Sequence, residues 1–63
     1  MISLNTFIQI QCRNMISSVE VFLKSCEMAA EKDDGKISAD ERKTLNAIRK
    51  ASETYIKDLQ RLL

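Results

Sequence analysis

The chain reads as an all-α protein: an antiparallel hairpin of two long helices, expected to pair into a dimeric four-helix bundle. Three observations predict this. Apolar residues recur at alternating spacings of three and four on both sides of one break. A single Gly and the absence of Pro leave only that break chemically announced. Finally, 63 residues make one domain at most, and chains of this size bury only about 60% of their unfolded surface, so a lone core is marginal.

The first helix is expected over about residues 4–32. Ile8, Cys12, Met15, Val19, Phe22, Cys26 and Ala29 follow one another at spacings of four and three, a heptad core pattern. Ile16, Leu23 and Ala30 lie beside this seam and widen it, which suits a bundle better than a two-stranded zipper. At the start, Ile8, Gln9, Ile10, Gln11 and Cys12 alternate with period two and also read as a strand. An isolated strand has nothing to pair with, so a helix from about Ser3 or Asn5 is the expectation. Phe7 and Phe22 are expected on the core face.

The turn is expected at residues 33–38, with Gly35 in the left-handed position just past a helix C-terminus. Ser38-Ala39-Asp40-Glu41 is a capping box: the Ser38 hydroxyl accepts from the Glu41 N–H, and the Glu41 carboxylate accepts from the Ser38 N–H. Asp40 and Glu41 also suit the positive end of the helix dipole.

The second helix is expected over about 39–63, its seam formed by Leu45, Ile48, Ser52, Tyr55, Leu59 and Leu62, with Ala51, Ile56 and Leu63 alongside. Ser52 is the one polar residue in that seam, either a small residue permitting close helix approach, a register device or, in the plainer reading, a tolerated hydroxyl bonded back to the Ile48 carbonyl. Two helices of similar length joined by a short loop have no third element to close their core. Two hairpins face to face would cover both stripes. The expected core and interface residues are therefore Ile8, Cys12, Met15, Val19, Phe22, Cys26, Leu45, Ile48, Tyr55, Leu59 and Leu62.

In length and layout the whole chain resembles the Rop family, plasmid RNA-binding regulators that are dimers of helical hairpins. The likeness rests on architecture, not on a residue motif, so no RNA-contacting residue is carried over. The segment Ala30–Glu41 in turn resembles a degenerate EF-hand calcium loop. With Ala30 as its first position, Asp34 stands fifth, Gly35 sixth, Ile37 eighth, Ser38 ninth and Glu41 twelfth, as that pattern requires. Ala30 replaces the leading Asp, however, and Lys32 sets a cation where the third-position oxygen belongs. The same residues serve a helix stop, a turn and a capping box, and no cofactor or metal is expected.

Catalysis finds little footing. There is no His, and a thiol on an apolar seam keeps a high pKa and has no base beside it. Cys12 and Cys26 lie roughly 21 Å apart along one helix, too far for a bridge. With only two thiols they are also poor zinc ligands. Asp33 and Asp34 are adjacent in a solvated turn and form no dyad.

Ten Lys and Arg against nine Asp and Glu leave a net charge of +1, which argues against a partner chosen by bulk charge. The distribution is uneven, since residues 1–30 carry only Arg13, Glu20, Lys24 and Glu27. On the second helix Arg42 and Arg49 share one heptad position and Lys43, Lys50 and Lys57 the next, with Arg61 extending the group. That basic edge is a candidate for phosphates or an acidic protein surface; its plainer reading is a solvated face with Asp40, Glu41, Glu53 and Asp58 interspersed. Tyr55 is the only aromatic side chain left to stack a base, and it too falls on the seam.

No apolar run approaches a membrane span, and no secretory signal is legible at the N-terminus. Two unpaired thiols suit a reducing compartment, so a cytoplasmic location is expected. The reading is of a small, non-catalytic interaction or regulatory protein of phage or plasmid type. It is expected to form a homodimer and act on a macromolecular partner, with no small-molecule substrate. The alternatives are a nucleic-acid-binding dimer using the basic edge, and a helical subunit of a hetero-oligomer such as a chaperone-type hairpin.

Overall fold

A computed structural model describes residues 1–32 and 36–63. It contains two helices, α1 (Leu4–Lys32) and α2 (Ala39–Gln60), packed side by side as a hairpin; among the described residues there is no strand. The possible strand at Ile8–Cys12 is helical throughout. The expected Gly35 turn, the Asp33–Asp34 pair and the centre of the calcium-like loop lie outside the described residues.

Each helix starts on a serine. The Ser3 hydroxyl accepts from the Thr6 N–H at 3.1 Å, satisfying one of the donors that a helix start leaves without an intrahelical acceptor. At α2 the capping box is complete: the Glu41 N–H donates to the Ser38 hydroxyl at 3.1 Å, and the Ser38 N–H donates to a Glu41 carboxylate oxygen at 2.9 Å. These two bonds, the backbone one first, hold the Glu41 carboxyl below its ordinary value of 4.5. At the other end α2 tightens into a last turn, with the Leu62 N–H donating to the Leu59 carbonyl at 3.0 Å. The helix therefore stops at Gln60, three residues short of the expected end.

The core of the chain is thin. Cys12 and Ile16 on α1 and Ser52 on α2 are buried, and around them Val19, Leu23, Cys26, Ala30, Leu45, Ile48, Ile56 and Leu59 are half-buried. At 3.6 residues per turn, Ile16 and Leu23 project to one side of Cys12, and Ile8, Met15 and Phe22 to the other. α2 covers the first side. Ile8, Met15, Phe22, Tyr55 and Leu62, all expected on the seam, are exposed on the single chain. Phe7 and Phe22, expected on the core face, are exposed at 49% and 53%. The cause is geometric: the apolar face of α1 is wider than one neighbouring helix can cover.

Among the described residues Ser52 makes no bond back to Ile48; Ser18 and Ser25 do bond back, to the carbonyls of Asn14 (2.9 Å) and Val21 (2.8 Å). At 6% exposure Ser52 is buried, beside Val19 in the lining of one groove between the helices.

The hairpin is one layer deep, with Cα extents of 51 × 18 × 11 Å. Its radius of gyration of 15.2 Å exceeds the roughly 11 Å of a compact chain of this length. Its accessible surface is 5201 Å², against roughly 4,100 Å² for a compact monomer of 7.2 kDa. The excess of about 1,100 Å² per chain exceeds the roughly 800 Å² that each partner contributes to a standard protein interface. Domains are built from two layers packed over a core, and here one layer stands alone.

Candidate interaction face

The two broad faces of the hairpin differ in chemistry. On one, Glu27 of α1 and Arg49 of α2 form an ion pair, with Arg49 Nη2 donating at 2.9 Å and Nε at 3.3 Å to the same Glu27 oxygen. Asn46 Oδ1 accepts from Arg49 Nη1 at 3.2 Å. Arg42 lines the same groove, with Glu31, Ile37 and Leu45. Arg49, expected on a basic edge beside the core, is thus held by a carboxylate on the other helix.

The opposite face is apolar. Near the turn it opens into a groove of ≈ 410 Å³ floored by Cys26, Ala29, Ala30, Thr44, Leu45 and Ile48, with Ile37, Asp40 and Glu41 completing its lining. Further along, Val19 and Phe22 face Ala51, Ser52 and Tyr55 across a second groove of ≈ 280 Å³. These grooves place Phe22 and Ala29 of α1 and Thr44, Ala51 and Tyr55 of α2 on one side of the molecule; the helical repeat carries Ile8 and Met15 onto the same side, and Leu62 follows in the turn after α2. None of these residues is charged. An apolar face with a polar back is what a second helical layer would cover.

The rest of the basic edge divides. Arg61 pairs with Asp58 at 3.2 Å one turn back. Lys43, Lys50 and Lys57 are exposed on the outward side of α2 and, among the described residues, form no ion pair. Cys12 is buried and Cys26 half-buried, and among the described residues no cluster of His, Cys, Asp and Glu would hold a metal ion. No helix among them is long and apolar enough to cross a membrane.

Sequence reasoning missed two features. Glu27 was legible as one of four charges in the first thirty residues, and its heptad offset from the apolar seam marks a flank that a cation across the hairpin would seek. Ala29, Thr44 and Ala51 were legible as small residues at seam-side positions, but their role appears only once the grooves they floor are assembled. The sequence matches no known protein family, and no characterised protein or solved structure is detectably similar to it.

Proposed function

We propose that this chain is a non-catalytic interaction protein that pairs with a second copy through its apolar face and acts by engaging a macromolecular partner. The observation that carries this reading is the single-layer hairpin with an exposed apolar stripe from each helix on the same broad face; Ile10, Val21 and Met28 are exposed as well, on the outward side of α1. Left wet, such a face aggregates; covered, it forms the middle of a four-helix bundle. The ~1,100 Å² of surplus surface per chain corresponds to roughly 2,200 Å² for a pair, in the range of obligate homodimers.

Sedimentation equilibrium from micromolar to millimolar concentration tests it. A dimer whose melting temperature rises with concentration is the expected result. A folded monomer throughout that range would end the homodimer reading. It would turn the apolar face into a site for a different helical protein, the hetero-oligomer alternative.

A second reading is favoured by the line of Lys43, Lys50 and Lys57, seven residues apart on the outward side of α2. In a bundle they remain outside, where a phosphate backbone or an acidic protein surface is within reach. Binding to a nucleic-acid duplex that weakens steeply with salt would support it; no binding at 50 mM salt would leave these lysines as solvation.

A further inference from the structure

The distribution of side-chain size on the apolar face carries the assembly further. Bulky residues stand at the open end and centre, namely Ile8, Met15 and Phe22 on α1, Tyr55 on α2 and Leu62 in the turn that follows α2, with Ala51 the small residue among them. Small ones, Ala29 and Thr44, stand at the turn end, where they floor the groove beside Cys26 and Ile48. A face of this kind is a poor match to its own mirror end and a good match to its reverse.

We infer that two copies pack antiparallel, turn end over open end, about a two-fold axis perpendicular to the helices. This inference rests on the homodimer reading above. Laying α1 of one copy over α1 of its partner sets Ile8 against Ala29 and Met15 against Phe22. Both pairs are centred between Ser18 and Val19. Laying α2 and the turn that closes it over the partner's α2 sets Thr44 against Leu62 and Ala51 against Tyr55, and both of those pairs are centred at Glu53. Val19 and Ser52 line one groove of the hairpin, so the two centres lie at the same height. One axis therefore satisfies both helices at once.

An isologous interface demands this self-complementarity: residue i meets j, and j meets i. Three of the four pairs join a large side chain to a small one, as close-packed layers require. The fourth sets a thioether on an aromatic ring, a favourable contact. Turn end over turn end would also set Phe22 over Ala51 and Met15 over Tyr55, and the two arrangements part at the ends of the face. Ala29 would then face Thr44 across an unfilled groove, and Ile8 would be crowded against Leu62.

Nuclear Overhauser spectroscopy on the unmodified protein separates the arrangements. Ile8 and Ala29 are roughly 31 Å apart along one helix, so any cross-peak between their methyl groups comes from two chains. We expect that cross-peak, with a second between Thr44 and Leu62. A dimer that lacks both and shows an intermolecular Ala29–Thr44 contact in a mixed-isotope sample overturns the antiparallel arrangement and leaves the dimer standing. A monomer at millimolar concentration, or one covered only by a different protein, overturns the homodimer reading itself.

A size swap supplies the independent check. Ala29→Ile should weaken self-association by about tenfold or more through overpacking, and adding Ile8→Ala to the same chain should restore most of it. In the turn-over-turn arrangement Ala29→Ile fills a void and tightens the dimer, and the added Ile8→Ala loosens it again.

Discussion

Glu27 and Arg49, 22 residues apart in the chain, meet across the hairpin at 2.9 Å and fix which side of the molecule is polar. Their side chains are 40% and 41% exposed, so the pair counts as a surface ion pair, screened by water and salt. Its contribution is expected at about 0.5 kcal/mol. A double-mutant cycle of Glu27→Gln and Arg49→Gln in urea denaturation should return a coupling energy of that size, shrinking toward zero in 1 M salt. A salt-independent coupling of several kcal/mol would show that the pair is buried in the assembled protein.

On the other side of the hairpin, Phe22 is exposed on the single chain and central in the proposed interface. Phe22→Asp should therefore abolish self-association and reduce helicity in far-ultraviolet circular dichroism. Val21→Asp, at a position 66% exposed on the outward side of α1, should leave both unchanged. Equal effects of the two substitutions would remove the distinction between the faces.

Ile16 is one of the few buried apolar side chains and packs within the hairpin, not between hairpins. Truncation to Ala is expected to cost about 2–3 kcal/mol, the lower part of the range for a core Ile, because a site at the edge of so thin a core relaxes easily. Met15→Ala, one residue away on the exposed stripe, should shift the dimerisation constant more than the stability extrapolated to saturating protein. The chemical-denaturation midpoint, measured at several concentrations, separates the two.

The cap of α2 gives a prediction in pH. Glu41 has a folded-state pKa depressed below 4.5 by its bonds from Ser38. The stability linked to this carboxylate is thus fully present above the ordinary carboxylate value and is lost as pH falls through the lower, folded one. Ser38→Ala should cost about 1 kcal/mol at neutral pH. Glu41→Gln keeps a side-chain acceptor and should flatten the acid limb of the stability profile. An acid limb identical to that of the unaltered protein would assign it to other carboxylates.

Reversing Lys50 and Lys57 to Glu tests the outward basic line. Both project away from the apolar face, so helicity and dimer mass should not change; loss of a nucleic-acid or acidic partner would identify the contact surface. Unchanged binding would assign these lysines to solvation alone.

How much of this was legible beforehand follows from what each pattern encodes. Heptad spacing and one Gly define helix, break, helix, and the Ser38–Glu41 box starts α2 where it is observed. The Ser3 cap leaves a fainter mark, since Thr6 stands three residues on in place of the Glu or Gln of a capping box. Which apolar residues meet inside one chain was not legible. Cys12, Val19 and Cys26 sit on the shared edge of two adjoining stripes, and periodicity alone does not say whether Ile16 and Leu23 or Met15 and Phe22 face α2. The answer depends on the rotation of each helix about its axis. That rotation places Glu27 beside Arg49, an attraction that acts across the hairpin and leaves no mark on local spacing.

The two helices differ in length by seven residues, 29 against 22, so the first two turns of α1 run roughly 10 Å past the end of their neighbour. Amide hydrogens there have no packed side chains guarding their bonds on the single chain. Hydrogen exchange should therefore be graded, fastest at the amino end of α1 and slowest where Cys12 and Ile16 meet α2. If a second copy covers the overhang, protection of Phe7, Ile8 and Ile10 becomes a direct gauge of how often the pair comes apart.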